Sequence, residues 1–256
     1  MPILRRITNR LVRAGTQALF SAVNRPGGRF HLVSRPTWHW TMPDWDTVHA
    51  IARLDDPRGA DLMRLYALHA NIRRVLDAGV PGALAELGVY RGVTARLFRH
   101  LAPQRRLYLF DTFEGLPQRD IDADPVNKAG RECANTSLDL VKQRVGEDGV
   151  TYCPGYFPQT ASAVPDEERF AVVHLDCDLL EPTRAGLAFF TPRMSPGGVI
   201  IVHDYAGTRW PGVAEAVDGF CAGRQVRPVI LPDASGTCII AIPAAQAESE
   251  RARSTT

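Results

Sequence analysis

An α/β fold built on a mostly parallel sheet is what this sequence predicts, and three observations carry the reading. Two apolar runs end in acid: Ala171-Val172-Val173-His174-Leu175 leads into Asp176-Cys177-Asp178, and Val199-Ile200-Ile201-Val202 leads into His203-Asp204-Tyr205. Runs this short and uniformly apolar suit strands buried on both faces. Strand-like and helix-like segments alternate from residue 83 onward, the pattern of successive crossovers in a parallel sheet. The last two strand candidates, Arg227 to Leu231 and Cys238 to Ile242, are joined through Asp233-Ala234-Ser235-Gly236. A link that short cannot make a parallel crossover, so this final pair is antiparallel.

The elements follow in order. Residues 1–43 hold no acid, and Ile3, Ile7, Leu11, Ala14, Ala18 and Leu19 fall near one helical face, with Arg5, Arg6, Arg10 and Arg13 mostly off it. This reads as a packing or dimer-forming arm in preference to a membrane-surface helix, because the run is short and the net charge low. Pro26-Gly27-Gly28 breaks it. The aromatic segment Trp38 to Trp45 suits either a lid over a substrate or a small satellite core. Leu62, Leu65, Leu68, Ile72 and Leu76 mark a helix leading to Pro81-Gly82. Strands are expected at Ala83–Leu87, Leu107–Phe110 and Val150–Cys153, and helices at Thr94–Leu101, Asn135–Val145, Thr183–Phe190 and Gly212–Phe220. The polar stretch Gln118 to Arg131 reads as a long loop, of the kind that is usually functional or mobile. The expected organisation is an N-terminal helical arm with lid or oligomerisation region over 1–79, a catalytic α/β domain over 80–245, and a disordered tail over 246–256.

Composition narrows the function. With 256 residues and a net charge of only +2, and no basic stripe interleaved with aromatics, nucleic acid is disfavoured as a partner. Five scattered cysteines without a C-x-x-C pair read as reduced thiols of a cytoplasmic protein. No run approaches the length of a membrane span, and the arginine-rich start lacks the apolar core of a signal peptide.

Ligands of open α/β sheets bind outside the carboxyl ends of the strands. Between the first strand and first helix stands Glu86-Leu87-Gly88-Val89-Tyr90-Arg91-Gly92. Gly88 lets backbone approach a ligand, and Asp111, ending the second strand, is placed to bond ribose hydroxyls. Tyr90 occupies the place of the middle glycine of a dinucleotide fingerprint, and Glu86 would repel phosphates and welcome an ammonium. A ligand with a ribose, an amino group and no phosphate fits: S-adenosylmethionine rather than a nicotinamide dinucleotide.

These residues belong to an ordered set: Glu86-x-Gly88-x-x-x-Gly92, Phe110-Asp111-Thr112-Phe113-Glu114-Gly115-Leu116-Pro117, Asn135-Thr136-Ser137-Leu138, Gly155-Tyr156-Phe157-Pro158, Leu175-Asp176-Cys177-Asp178-Leu179, Ser195-Pro196-Gly197-Gly198 and His203-Asp204-Tyr205. Over residues 80–222 the chain thereby resembles the macrocin O-methyltransferase family, class I S-adenosylmethionine-dependent enzymes that methylate sugar hydroxyls of antibiotics. The resemblance implies a Rossmann-like, seven-stranded sheet with an antiparallel last strand. It further implies a cofactor site at Glu86, Gly88, Tyr90, Gly92, Asp111, Thr112, Phe113, Gly155, Tyr156, Phe157 and Asp176, and a glycosylated small-molecule acceptor. Phe157 suits ordinary core packing as well.

The acid-ended strands would then hold the acceptor. A sugar hydroxyl is a very weak acid, so its proton needs a base or a metal. The resemblance puts metal ligands at Asp176 and the pair His203-Asp204, where metal-dependent members carry two acids. With His203 in the first place, three outcomes stay open: magnesium on Asp176 and Asp204, another divalent metal with His203 as a ligand, or a metal-free enzyme with His203 as general base. A purely supporting hydrogen bond is the alternative for His203. Asp178 serves as a base or, as slightly favoured, bonds the following helix. Rival readings are a nicotinamide-dependent oxidoreductase and a catalytically silent cofactor-binding module. The apolar N-terminal face suits a homo-oligomer.

Overall fold

The computed structural model describes residues 43–54, 61–123, 133–222, 224 and 226–244. The chain divides into two compact units, 1–45 and 46–256. The first lies almost wholly outside the described residues, as do most of the aromatic segment at 38–45, the polar residues 124–132 and the tail expected at 246–256.

The second unit runs α1 (Trp45–Ala52), α2 (Leu62–Asp77), β1 (Ala83–Leu87), α3 (Val93–Leu101), β2 (Leu107–Asp111), α4 (Gln118–Ala123), α5 (Leu138–Val145), β3 (Val150–Pro154), β4 (Phe170–Leu175), α6 (Leu180–Phe190), β5 (Met194–Val202), α7 (Pro211–Cys221), β6 (Val229–Ile230) and β7 (Cys238–Ala241). Seven strands form one sheet in the order β3-β2-β1-β4-β5-β7-β6. β3, β2, β1, β4 and β5 pair in parallel. β7 runs antiparallel to both β5 and β6, as the short 233–236 link requires.

Every residue of β1 and β4 is buried, which explains their unbroken apolar pattern. α2 and α3 pack on one face of the sheet, while α6 packs on β4 and against α7. Gly186 lets α6 come close: a Cβ there would stand 3.0 Å from both Leu87 and Leu175 side chains. Phe110, Phe157, Phe170, Phe189 and Phe190 interlock edge-to-face beneath it.

Several boundaries differ from the sequence expectation, three of them for a visible reason. α5 begins at Leu138 because Ser137 caps it, its hydroxyl accepting from the Leu140 N–H at 3.2 Å. Ser137→Ala is expected to cost about 1 kcal/mol, seen as a fall of about 2–4 °C in melting temperature. The stretch read as loop opens with α4, whose Ile121 is buried and whose Gln118 donates to Asp122 one turn on at 2.8 Å. β5 starts at Met194, five residues before its apolar run; Pro196 is exposed there and the pairing with β4 shifts register between Phe170 and Val172.

The strand order reverses between β1 and β4: the chain builds outward through β2 and β3, then returns to lay β4 and β5 on the other side. Such a switch point opens a crevice at the carboxyl edge.

Candidate active site

Backbone hydrogen bonds carry the ladder past the strand ends. Gly88 N–H donates to Phe110 O at 2.9 Å, Asp176 N–H to Leu87 O at 2.8 Å, His203 N–H to Leu175 O at 2.9 Å and Gly155 N–H to Asp111 O at 2.9 Å. They align Gly88, Asp111, Gly155, Asp176 and His203 along one edge. A cleft with about 590 Å³ of empty space, partly open to solvent, lies there; its walls include Leu87, Gly88, Tyr90, Asp111, Thr112, Gly155, Tyr156, Phe157, Asp176 and Asp178.

The glycine turn forms the floor. Gly88 sits at φ 86°, and a Cβ there would lie 2.0 Å from the Asp176 carbonyl oxygen. Gly92 (φ 79°) precedes α3 and does not line the cleft; a Cβ there would meet Val141 and Val145 at 3.1 and 3.2 Å. Its freedom serves the packing of α3 against α5. Tyr90, at φ 51°, is held by its hydroxyl on Asn135 Oδ1 (2.5 Å) and by the Thr136 hydroxyl on its carbonyl.

Asp111 is built into this turn. Its Oδ2 accepts from the Val89 and Tyr90 N–H groups at 2.7 and 2.8 Å, and its Oδ1 from Phe113 N–H at 2.7 Å. Burial pushes its pKa up, and the three amide donors pull the other way. The Thr112 hydroxyl adds a longer bond to Oδ1 at 3.5 Å, so both oxygens brace the turn. Thr112 donates to Gly115 O at 2.7 Å, shaping the loop after β2, while Phe113 is buried and does not line the cleft. Tyr156 donates to Asp120 Oδ1 at 2.9 Å and carries the Arg119 guanidinium 3.1 Å above its ring. Phe157 both lines the cleft and belongs to the core.

Glu86 is placed differently from these. It lies within β1, one position before cleft-lining Leu87, so strand alternation turns its side chain to the other face. It is fully buried, absent from the cleft wall, and its Oε1 stands 2.8 Å from His174 Nδ1 on β4. Burial raises its pKa and His174 opposes that rise. The sequence hid this pairing because Glu86 and His174 become neighbours only through the register of β1 on β4.

The acid-ended strands converge as the sequence suggested. His203 Nδ1 stands 2.8 Å from both Asp176 Oδ1 and Asp204 Oδ2. Asp178 and Asp204, at φ 63° and 60°, share a side-chain hydrogen bond. Burial first, then repulsion from Asp176 and Asp204, lifts Asp178 well above the usual carboxylate range. Burial works to raise Asp176 too, but His203 and Arg64 outweigh it and hold this carboxylate far below its ordinary value. Burial likewise opposes charge on His203, yet the Asp176 and Asp204 carboxylates prevail and push its pKa up to about 10. The ring is therefore charged at neutral pH.

Arg64, from α2, is the cluster member that sequence reasoning missed. Its Nη1 donates to Asp176 Oδ2 at 3.0 Å and lies 3.2 Å from His203 Nε2. Asp61 caps α2 through the Arg64 backbone N–H at 3.1 Å, and its other oxygen accepts from Ala234 N–H at 3.3 Å. One donor atom from each of Asp176, His203 and Asp204 falls within 4.8 Å of the others, so a metal-ligand set is present. With the guanidinium on Asp176 and against His203, the three do not fit a divalent ion as they stand.

A profile of the family described as Macrocin-O-methyltransferase (TylF) matches residues 42–238. Among curated relatives, the chain is 37% identical over 160 residues to an 8-demethyl-8-(2,3-dimethoxy-alpha-L-rhamnosyl)-tetracenomycin-C 4'-O-methyltransferase of Streptomyces olivaceus, covering 57% of this chain and 61% of that one. It is 31% identical to a mycinamicin III 3''-O-methyltransferase of Micromonospora griseorubida, covering 61% and 66%. A demethyldecarbamoylnovobiocin O-methyltransferase of Streptomyces niveus is 30% identical over 63% of this chain and 66% of its own. The match thus spans somewhat less than two thirds of each relative. The fold is shared with the O-methyltransferase NovP (TM-score 0.62, 24% identity, 71% of this chain and 80% of that one). It is shared also with CalS11, a calicheamicin methyltransferase (TM-score 0.61, 22% identity, 94% and 93%). Seven strands in this order, the glycine turn clamped by the acid ending β2, and the profile match over most of the length place the chain in the macrocin O-methyltransferase family.

Proposed function

We propose that this protein is an S-adenosylmethionine-dependent O-methyltransferase acting on a sugar hydroxyl of a glycosylated natural product. One observation carries the reading: a single cleft runs from the Asp111-clamped glycine turn, past Gly88, to Asp176 and Asp178. Gly88 lines this cleft, and glycine is required there because a Cβ would strike the Asp176 carbonyl, so the ends of β1 and β4 lie close together beneath it. Gly88, Tyr90, Asp111, Thr112, Gly155, Tyr156, Phe157 and Asp176 are the residues we assign to the cofactor. Glu86, Gly92 and Phe113 support it from outside the cleft wall.

When bound, S-adenosylmethionine supplies the electrophilic methyl group. The chain must hold the acceptor oxygen in line and take its proton. His203 accepts that proton: the carboxylates at Nδ1 fix the ring, and Nε2 receives the hydroxyl hydrogen in the fraction of molecules whose ring is neutral, once Arg64 Nη1, 3.2 Å from Nε2, turns its hydrogen bond to the acceptor oxygen. Asp178, bonded to Asp204, positions that acid.

The substrates in the relatives' names, sugar-bearing antibiotics among them, support the acceptor class. Among the described residues no helix is long and apolar enough to cross a membrane. The cytoplasmic assignment, and homo-oligomer formation through an arm within residues 1–79, belong to the proposal and rest on the sequence.

Two measurements test it. Labelled methyl transfer to a panel of glycosylated metabolites is expected to mark the sugar. Calorimetry of S-adenosylmethionine on Asp111→Asn is expected to show affinity reduced about 100-fold or more, as backbone donors lose a charged acceptor worth about 3 kcal/mol. Unchanged affinity would remove Asp111 from the cofactor site.

A further inference from the structure

A divalent ion held by oxygen ligands sits about 2.1 Å from each when the ion is magnesium. At this cluster it would have to bind the same Asp176 carboxylate that Arg64 already holds at 3.0 Å. The guanidinium is well enclosed: 19% of its side chain is exposed, against 17% for Asp176. It is also fixed from behind, since the Asp61 cap that starts α2 grips the backbone N–H of Arg64 itself. Arginine cannot make way by losing its proton, as a lysine in the same place could. An incoming metal would therefore face a permanent charge on a rigid helix end.

We propose that Arg64 is the resident cation of the Asp176–His203–Asp204 cluster, standing in the position a divalent metal would take, so that the protein holds no metal there. Its planar N–H donors are suited to fix an oxygen atom beside His203, the orienting part of a metal's role, while the proton is left to His203. The proposal rests on reading the cluster as the acceptor end of a methyl-transfer site. Its test reads metal binding and not turnover, so the two can fail separately.

The experiment is a titration of the full chain with Mn²⁺, followed by electron paramagnetic resonance. Wild type is expected to bind no Mn²⁺ at this cluster below about 1 mM, the weak end of protein sites for hard cations. Arg64→Ala keeps the three ligands and removes the charge; it is expected to bind at least about tenfold more tightly, and adding Asp204→Asn should undo the gain. Wild-type binding that Asp204→Asn abolishes overturns the proposal. A folded Arg64→Ala that gains no site overturns it too, because the cluster is then no cation position. Should Arg64→Ala not fold, Arg64→Gln makes the same comparison, and the wild-type titration can still refute the proposal alone.

Discussion

Gly88→Ala should lower the melting temperature by about 6–12 °C and leave no measurable S-adenosylmethionine binding by calorimetry. Two independent penalties fall on this one methyl group. Gly88 has φ 86°, where side-chain-bearing residues are strained by about 1–3 kcal/mol. The added Cβ would also stand 2.0 Å from the Asp176 carbonyl oxygen and 3.0 Å from the Cys177 nitrogen. These are backbone atoms, anchored by the Asp176 N–H on Leu87 O at 2.8 Å, so they cannot rotate away. Relief requires β1 and β4 to part at the switch point, and overpacking of that kind costs about 1–3 kcal/mol more. The two sum to about 2–6 kcal/mol, and the middle of that range, about 3–4 kcal/mol, gives the stated fall at about 2–3 °C per kcal/mol for a chain of this length. The same separation would move the turn that Asp111 holds, which is why binding should fail along with stability. A variant that melts within a degree of wild type would refute the close approach of these two strand ends.

His203→Gln should reduce kcat about 10²–10⁴-fold while leaving S-adenosylmethionine affinity within a factor of a few, because the side chain does not line the cofactor cleft. The pH dependence separates a base from a mere support. A base works in its neutral form, and this ring's pKa is pushed up to about 10. Wild-type kcat/KM should therefore climb with pH from 7 toward about 10, and the variant should lose that climb. Stability should move oppositely. The raised pKa means the charged ring stabilises the fold fully below about 6.5, the unfolded value, and this contribution is lost as pH rises through about 10. In His203→Gln that decline between about 6.5 and 10 should be absent from thermal unfolding. A flat wild-type rate profile would argue for a supporting hydrogen bond instead.

The strands were legible in the sequence wherever burial on both faces left uniform apolar runs, as at Phe170–Leu175, and the antiparallel end followed from the length of one turn. Asp111, Asp176, His203 and Asp204 were legible because the ends of adjacent parallel strands meet by necessity. Arg64 was not. It is one arginine among many, on a helix read only for its apolar stripe, and nothing local marks a residue whose partners lie 112 and 139 positions away. The place of Glu86 was hidden for a related reason: neighbouring a glycine turn in sequence says nothing about which face of the sheet a side chain takes. Gly92 was read as part of the ligand cradle because a positive-φ glycine looks the same whether a ligand or a helix presses on it.

The two oxygens of Asp61 also constrain how this protein can diverge. One caps the helix that carries Arg64, and the other holds Ala234 in the turn between β6 and β7. Surface hairpins usually tolerate insertions. This one is tethered to the active-site arginine, so its turn has less freedom to lengthen than its exposure suggests. A lineage that changes the hairpin must also re-anchor the first turn of α2; because both donors are backbone N–H groups, the constraint falls on the side chain at 61 and on the path of the turn.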